Sequence, residues 1–202
     1  NKGNKMNKLT KIFVTFISAI TLTLASISSS FAKVDGEYIV LGAAVSLTGK
    51  YSSNGVHTQN GYNLAVERIN KMGGVEVGGK KYKFEIIYYD DESNSGRAAQ
   101  LAERLIKQDG IKYMLGPYSS GLTKAMAPVT EKYKIPMVEA NGASRSLFTK
   151  GYKYLFAVLA PANLYLDVAI DLAVEKNGGK PVKVAMAFEQ DAFSQDVRLG
   201  IL

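Results

Sequence analysis

The sequence predicts an α/β fold built on a mostly parallel sheet, and three observations carry the prediction. Short β-rich apolar runs alternate with amphipathic helical stretches from residue 38 to the end of the chain. Small polar loops follow these runs where buried strands would end. Cysteine is absent, so the fold rests on a hydrophobic core, which residues 33–202 are numerous enough to build.

Each element has its own warrant. Tyr38 to Val45 is an apolar, β-rich run and reads as the first strand. A turn-rich loop over Ser46 to Gly55 precedes a helix from Val56 to Met72, with Gln59, Tyr62, Val66 and Ile69 near helical spacing. Gly73-Gly74 stops it, and Val75 to Lys81 reads as a β-ribbon turning at Gly78-Gly79. Tyr82, Phe84, Ile86 and Tyr88 alternate as on a strand. After a loop over Asp90 to Ser95, with Ser95 placed to cap, Ala98, Leu101, Ala102, Leu105 and Ile106 give a helix its apolar face.

Ile111 to Leu115 is the third strand. Ser119 or Ser120 caps the next helix, which runs to Tyr133 with Leu122, Met126 and Val129 on one side; Pro128 predicts a kink or a late start. Ile135 to Val138 and Tyr154 to Leu159 read as strands four and five. Asn163 to Lys176 reads as a helix with Leu166, Ala169, Ile170 and Ala173 inward, and Val182 to Phe188 as a sixth strand. A further helix is under way at Leu202, which predicts a fragment of a longer protein.

The first 32 residues read as a processing signal. Met6 is a plausible start, Lys8 and Lys11 form a basic n-region, Ile12 to Ile27 is mostly apolar, and Ser30-Phe31-Ala32 presents small residues for cleavage after Ala32. The alternative is a membrane anchor, for which the run is short against the ~20 residues of a bilayer span. The chain carries a formal charge of +7, but the leader holds four lysines and no acid, leaving 21 basic residues against 18 acidic. No basic stripe with interleaved aromatics occurs, so nucleic acid is not an expected partner. Without a cysteine for lipidation, the expected product is a diffusing periplasmic protein.

Two loops are the candidate site: Gly116-Pro117-Tyr118-Ser119-Ser120-Gly121 after the third strand, and Asn141-Gly142-Ala143-Ser144 after the fourth. In open α/β sheets, ligands sit beyond the carboxyl ends of strands, and free N–H groups with hydroxyls suit a carboxylate. The competing reading is that Ser119 and Ser120 only cap a helix and Ser144 and Ser146 only make a turn. Cap and ligand contact are compatible roles.

The order and spacing of these pieces resemble a known family. Leu41 to Gly49, Asn54-Gly55, Tyr89 to Ser93, Gly116 to Ser120, Ile135 to Val138, Gly142 to Ser144 and Gly151-Tyr152 with Phe156 resemble the branched-chain type of periplasmic amino-acid-binding protein that serves ABC importers. The resemblance spans residues 36–202. It implies a two-lobed clamp with parallel Rossmann-like sheets: lobe one over 33–155, a crossing near Leu155 to Pro161, and an incomplete second lobe over 156–202. It implies a hinge that closes on an amino acid or small carboxylate and a permease in the inner membrane as partner. By that likeness Ser119 and Ser144 hold the carboxylate, Tyr118 and Gly142 supply backbone, and Asn54 is the contribution of the first loop; Tyr51 is a further candidate for the cleft wall. Phe193 stands where a tyrosine is common, which removes one hydroxyl. The acid that meets the ligand ammonium is expected beyond Leu202.

Other chemistries have less support. Gly73-Gly74 and Gly78-Gly79 do not form phosphate loops. Asp90-Asp91-Glu92 lacks calcium-loop spacing and reads as a solvated loop, so no metal and no cofactor are expected. His57 is the sole histidine, no GxSxG elbow occurs, and Glu139 and Glu189 are isolated acids at strand ends, so catalysis is not expected. The remaining alternative is a receptor's sensing domain built on the same clamp.

Overall fold

The computed structural model describes residues 34–202, and the leader and its cleavage point lie outside them. The strands are β1 (Val34–Asp35), β2 (Tyr38–Val45), β3 (Val75–Val77), β4 (Lys80–Asp90), β5 (Met114–Leu115), β6 (Met137–Glu139) and β7 (Leu155–Ala157). The helices are α1 (Ser52–Lys71), α2 (Ser95–Lys107), α3 (Ser120–Tyr133), α4 (Asp167–Lys176) and α5 (Ala192–Ile201), with single 3-10 turns at Arg145–Leu147 and Ala162–Leu164.

The sheet order is β3-β4-β2-β5-β6-β7, with β1 as an antiparallel flap on β2. The pairs β2–β4, β2–β5, β5–β6 and β6–β7 are all parallel, so the strand ends and the loops after them gather on one side. β2 is central, with Gly42 beside Ile87 on one flank and Met114 on the other. Its apolar run is buried almost throughout because both edges and both faces are covered. Against it packs a core of Val40, Ala44, Leu105, Ile111, Met114, Leu122, Met126 and Met137. Ala98 and Ala102 are fully buried and let α2 approach the sheet closely.

Several boundaries differ from the sequence reading. α1 begins at Ser52, four residues early, because the Gly55 N–H already bonds to the Tyr51 carbonyl at 2.8 Å. Gly55 is required there, since a Cβ would stand 1.8 Å from the Ser46 carbonyl oxygen. Asn94, not Ser95, caps α2, its side chain accepting the Arg97 N–H at 2.9 Å. α3 runs unbroken from Ser120 through Pro128. Pro128 and Lys124 are both exposed, so the proline sits on the solvent side of the helix, where a missing backbone bond costs least. The αL residue Lys134 ends the helix two positions before Pro136.

The largest departures come after β7. Val182 to Phe188 forms no strand, and Val184, Met186 and Phe188 are exposed. The predicted helix from Asn163 is divided into the 3-10 turn at Ala162–Leu164 and α4 from Asp167. No residue of α4 is buried, including the Ala169, Ile170 and Ala173 face expected inward. A strand exists only when a neighbour supplies hydrogen bonds, and among the described residues this segment pairs with none.

Candidate functional site

The loops after β2, β5 and β6 surround a cavity of about 380 Å³. One wall is Tyr51 at the start of α1, then Tyr118, Ser119, Ser120 and Gly121 at the start of α3, with Asn141 after β6. The facing wall is Tyr165, Glu189, Asp191 and Phe193. Each wall carries an edge-to-face aromatic pair, Tyr51–Tyr118 with centroids 5.4 Å apart and Tyr165–Phe193 at 5.5 Å.

Ser119 caps α3 through its hydroxyl, which accepts the Leu122 N–H at 3.3 Å. Its backbone sits at φ 78° and ψ 149°, at the edge of a region that is nearly glycine's alone. Because the first N–H groups of a helix lack intrahelical acceptors, this end of α3 presents donors and a partial positive charge to the cavity.

The other predicted residues are placed differently. Asn54 lines an adjoining cavity of about 510 Å³ with His57, Thr58 and Tyr62, and Tyr118 and Asn141 border both spaces. Ser144 and Gly142 stand behind the wall. Ser144 is fully buried, its hydroxyl 2.8 Å from that of Ser146 and its N–H donating to the Ser120 hydroxyl at 3.0 Å. The Gly142 N–H donates to the Glu139 carboxyl group. A side chain at Gly116 would collide with Glu139 and one at Gly142 with Thr123, so the two glycines make room for the Glu139–Thr123 pair. Burial pushes the Glu139 carboxyl up to about 7, against the Thr123 hydroxyl and the Asn141 N–H, which act to lower it.

Acids elsewhere stabilise the loops. Asp90 accepts from the Thr48 hydroxyl and from the N–H groups of Glu92, Thr48 and Leu47. Burial alone would raise its pKa, but these bonds together outweigh it and hold the carboxyl below its ordinary value. Asp91 is fully buried and accepts from the Ser46 hydroxyl at 2.6 Å, so the solvated loop expected at Asp90 to Glu92 is instead a brace between β2 and β4. Burial raises the Asp91 carboxyl despite that bond. Asp191 caps α5, accepting from the Phe193 N–H at 2.7 Å and from Ser194. Among the described residues, no cluster of three metal-ligating side chains occurs. Asn141, in the predicted loop after β6, does line the cavity; Tyr165 and Asp191 escaped the sequence reading, because what brings them there is tertiary packing and not a local motif.

A family model described as periplasmic binding protein matches residues 38–201. The chain belongs to that family. It is 26% identical over 163 residues to the leucine-, isoleucine-, valine-, threonine- and alanine-binding protein of Pseudomonas aeruginosa, covering 81% of this chain and 42% of that one. Among solved structures it resembles a solute-binding protein of an ABC transporter from Rhodopseudomonas palustris in complex with 3,4-dihydroxybenzoic acid, at 26% identity and a TM-score of 0.67, over 81% of this chain and 42% of that chain. It also resembles a branched-chain amino acid transporter substrate-binding protein from Streptococcus pneumoniae in complex with isoleucine, at 27% identity and a TM-score of 0.57, over 65% of this chain and 38% of that chain. The chain spans less than half the length of these relatives.

Proposed function

We propose that the chain is the carboxylate-capturing part of a periplasmic solute-binding protein that delivers an amino acid or related small carboxylate to an ABC importer. The observation that carries this is the open N-terminus of α3 facing a cavity walled by two aromatic pairs. A carboxylate there would meet the Ser119 hydroxyl and the free N–H groups of Ser120 and Gly121. Tyr51, Tyr118, Tyr165 and Phe193 would enclose the rest of the ligand. Closure of two lobes over it, and docking to a permease after export, complete the reading.

The aromatic walls favour a second ligand class, a flat aromatic carboxylate. Relatives of both kinds exist, one crystallised with isoleucine and one with a dihydroxybenzoic acid. A thermal-shift screen of the purified protein against L-amino acids and hydroxybenzoates separates them. A ligand at a hundredfold excess over its Kd stabilises the folded state by about 2.7 kcal/mol. A shift with one class, reduced in Ser119→Ala, supports the reading. A folded protein that shifts with neither class overturns it.

A further inference from the structure

Glu139 closes β6 with its side chain fully buried directly behind the cleft. One carboxyl oxygen accepts the N–H groups of Asn141 and Gly142. The other lies 2.6 Å from the Thr123 hydroxyl, and that same hydroxyl lies 2.9 Å from the Ser119 carbonyl oxygen. A hydroxyl carries one proton, whereas an ionised carboxylate and a carbonyl can only accept. With Glu139 ionised, the Thr123 hydroxyl therefore donates to one neighbour and turns a lone pair toward the other; if it donates to Glu139, the Ser119 carbonyl keeps only the Thr123 N–H, at 3.1 Å. With Glu139 neutral, its O–H donates to Thr123 Oγ1 and Thr123 donates onward to Ser119, so every group is paired.

The surroundings favour the neutral form. Thr123 faces the carboxyl from α3 and Gly116 from the end of β5, while Ala157 of β7 is the strand partner of Glu139. From α1 comes the Tyr62 phenol, which donates to the Gly116 carbonyl at 2.8 Å. Burial, and then the nearby Glu139 carboxyl group, raise the pKa of that phenol and keep it protonated. These neighbours bring no cation to the carboxyl group, and burial opposes its charge.

We propose that Glu139 is a positioning residue of the cleft: its neutral carboxyl group locks the Ser119 backbone to the Asn141–Gly142 turn, and ligand affinity follows its protonation. The affinity half rests on the binding reading above; the lock does not. Ser119 and Asn141 both line the cavity, so a single proton governs two parts of one wall.

The test is an NMR titration of the unliganded protein from pH 5 to 9, with calorimetric binding of L-isoleucine and 4-hydroxybenzoate at pH 6 and 8. The Glu139 carboxyl carbon and the amides of Ser119 and Gly142 are expected to share a midpoint near 7. Affinity for the probe that binds falls about tenfold between the two pH values, as the competent fraction falls from about nine-tenths to one-tenth. Glu139→Gln keeps an acceptor for the two N–H groups and a donor for Thr123, and it flattens both dependences. Thr123→Val uncouples the Ser119 amide while Gly142 still follows Glu139. His57→Asn, which removes the one histidine of the chain, is the control and retains the tenfold ratio. A Glu139 carbon that titrates with exposed carboxylates, or a Ser119 amide indifferent to it, overturns the lock. Coupled titration with neither probe bound refutes the binding reading and the affinity half, and leaves the lock standing.

Discussion

Replacing Ser119 with glycine is expected to stabilise the protein while weakening its hold on ligand. The backbone at φ 78° and ψ 149° is strained for any residue with a Cβ, at about 1–3 kcal/mol. Glycine removes that strain. It adds unfolded-chain entropy costing about 0.5–1 kcal/mol, and replacing a serine cap with glycine costs only about a few tenths. The midpoints leave a net gain of about 1 kcal/mol. Alanine keeps the strain and loses the cap, for a loss of about 1 kcal/mol. The two variants should then differ by about 2 kcal/mol, or roughly 4–8 °C in melting temperature for a chain of this size. Urea unfolding monitored by circular dichroism measures the difference, and ligand calorimetry on the same samples measures the lost hydroxyl. Both variants should bind a carboxylate about 1.5–3 kcal/mol more weakly than wild type. A glycine variant no more stable than wild type refutes the strain argument. Unchanged binding in both removes Ser119 from the site.

Four further outcomes follow from the same geometry. Gly55→Ala places a Cβ against the Ser46 carbonyl and should cost about 1–3 kcal/mol. Gly61→Ala in the same helix meets open space and should gain about 0.5–1 kcal/mol; thermal melts of the pair check both signs. Glu139 keeps its proton in the folded state to about pH 7, whereas an ordinary glutamate releases it near 4.5. Stability therefore falls as pH rises across that interval, by about 3 kcal/mol, and melts of Glu139→Gln from pH 4 to 8 should lack the fall. Asp90 has the opposite sign. Its lowered folded value contributes stability above the unfolded value, and that contribution is lost as pH drops below about 4. Asp90→Asn should melt lower than wild type at pH 7 and converge with it in acid.

The sequence was most informative where local pattern and tertiary role coincide. β2 matches its reading from Tyr38 to Val45 because a strand buried on both faces is apolar without interruption. The face of α2 is legible for a similar reason, since Ala98, Leu101, Ala102 and Leu105 recur at helical spacing and are all buried. Val182 to Phe188 has the same apolar character and no strand, because composition does not supply a hydrogen-bonding neighbour. At the cleft, the position of Ser119 was legible from a serine loop after an apolar run, but its backbone strain was not. Ser144 carried the same signal and lies buried, since the Ser120 hydroxyl takes up its N–H. Glu139 read only as an acid at a strand end. Its importance depends on Thr123 and two glycines that come from other parts of the chain.

The central position of β2 has a kinetic consequence. Its parallel partners β4 and β5 both come later in the chain, each after a helical crossover, so neither of these central pairings can form as a local hairpin. Ala43, Ala44 and Val45 end fully buried, yet their segment is synthesised before either flanking strand exists. Until β4 and β5 arrive, an extended apolar stretch with free backbone groups is open to any protein that recognises unfolded chain. Such connectivity lengthens the interval in which the polypeptide can still be threaded or captured before it commits to its native state.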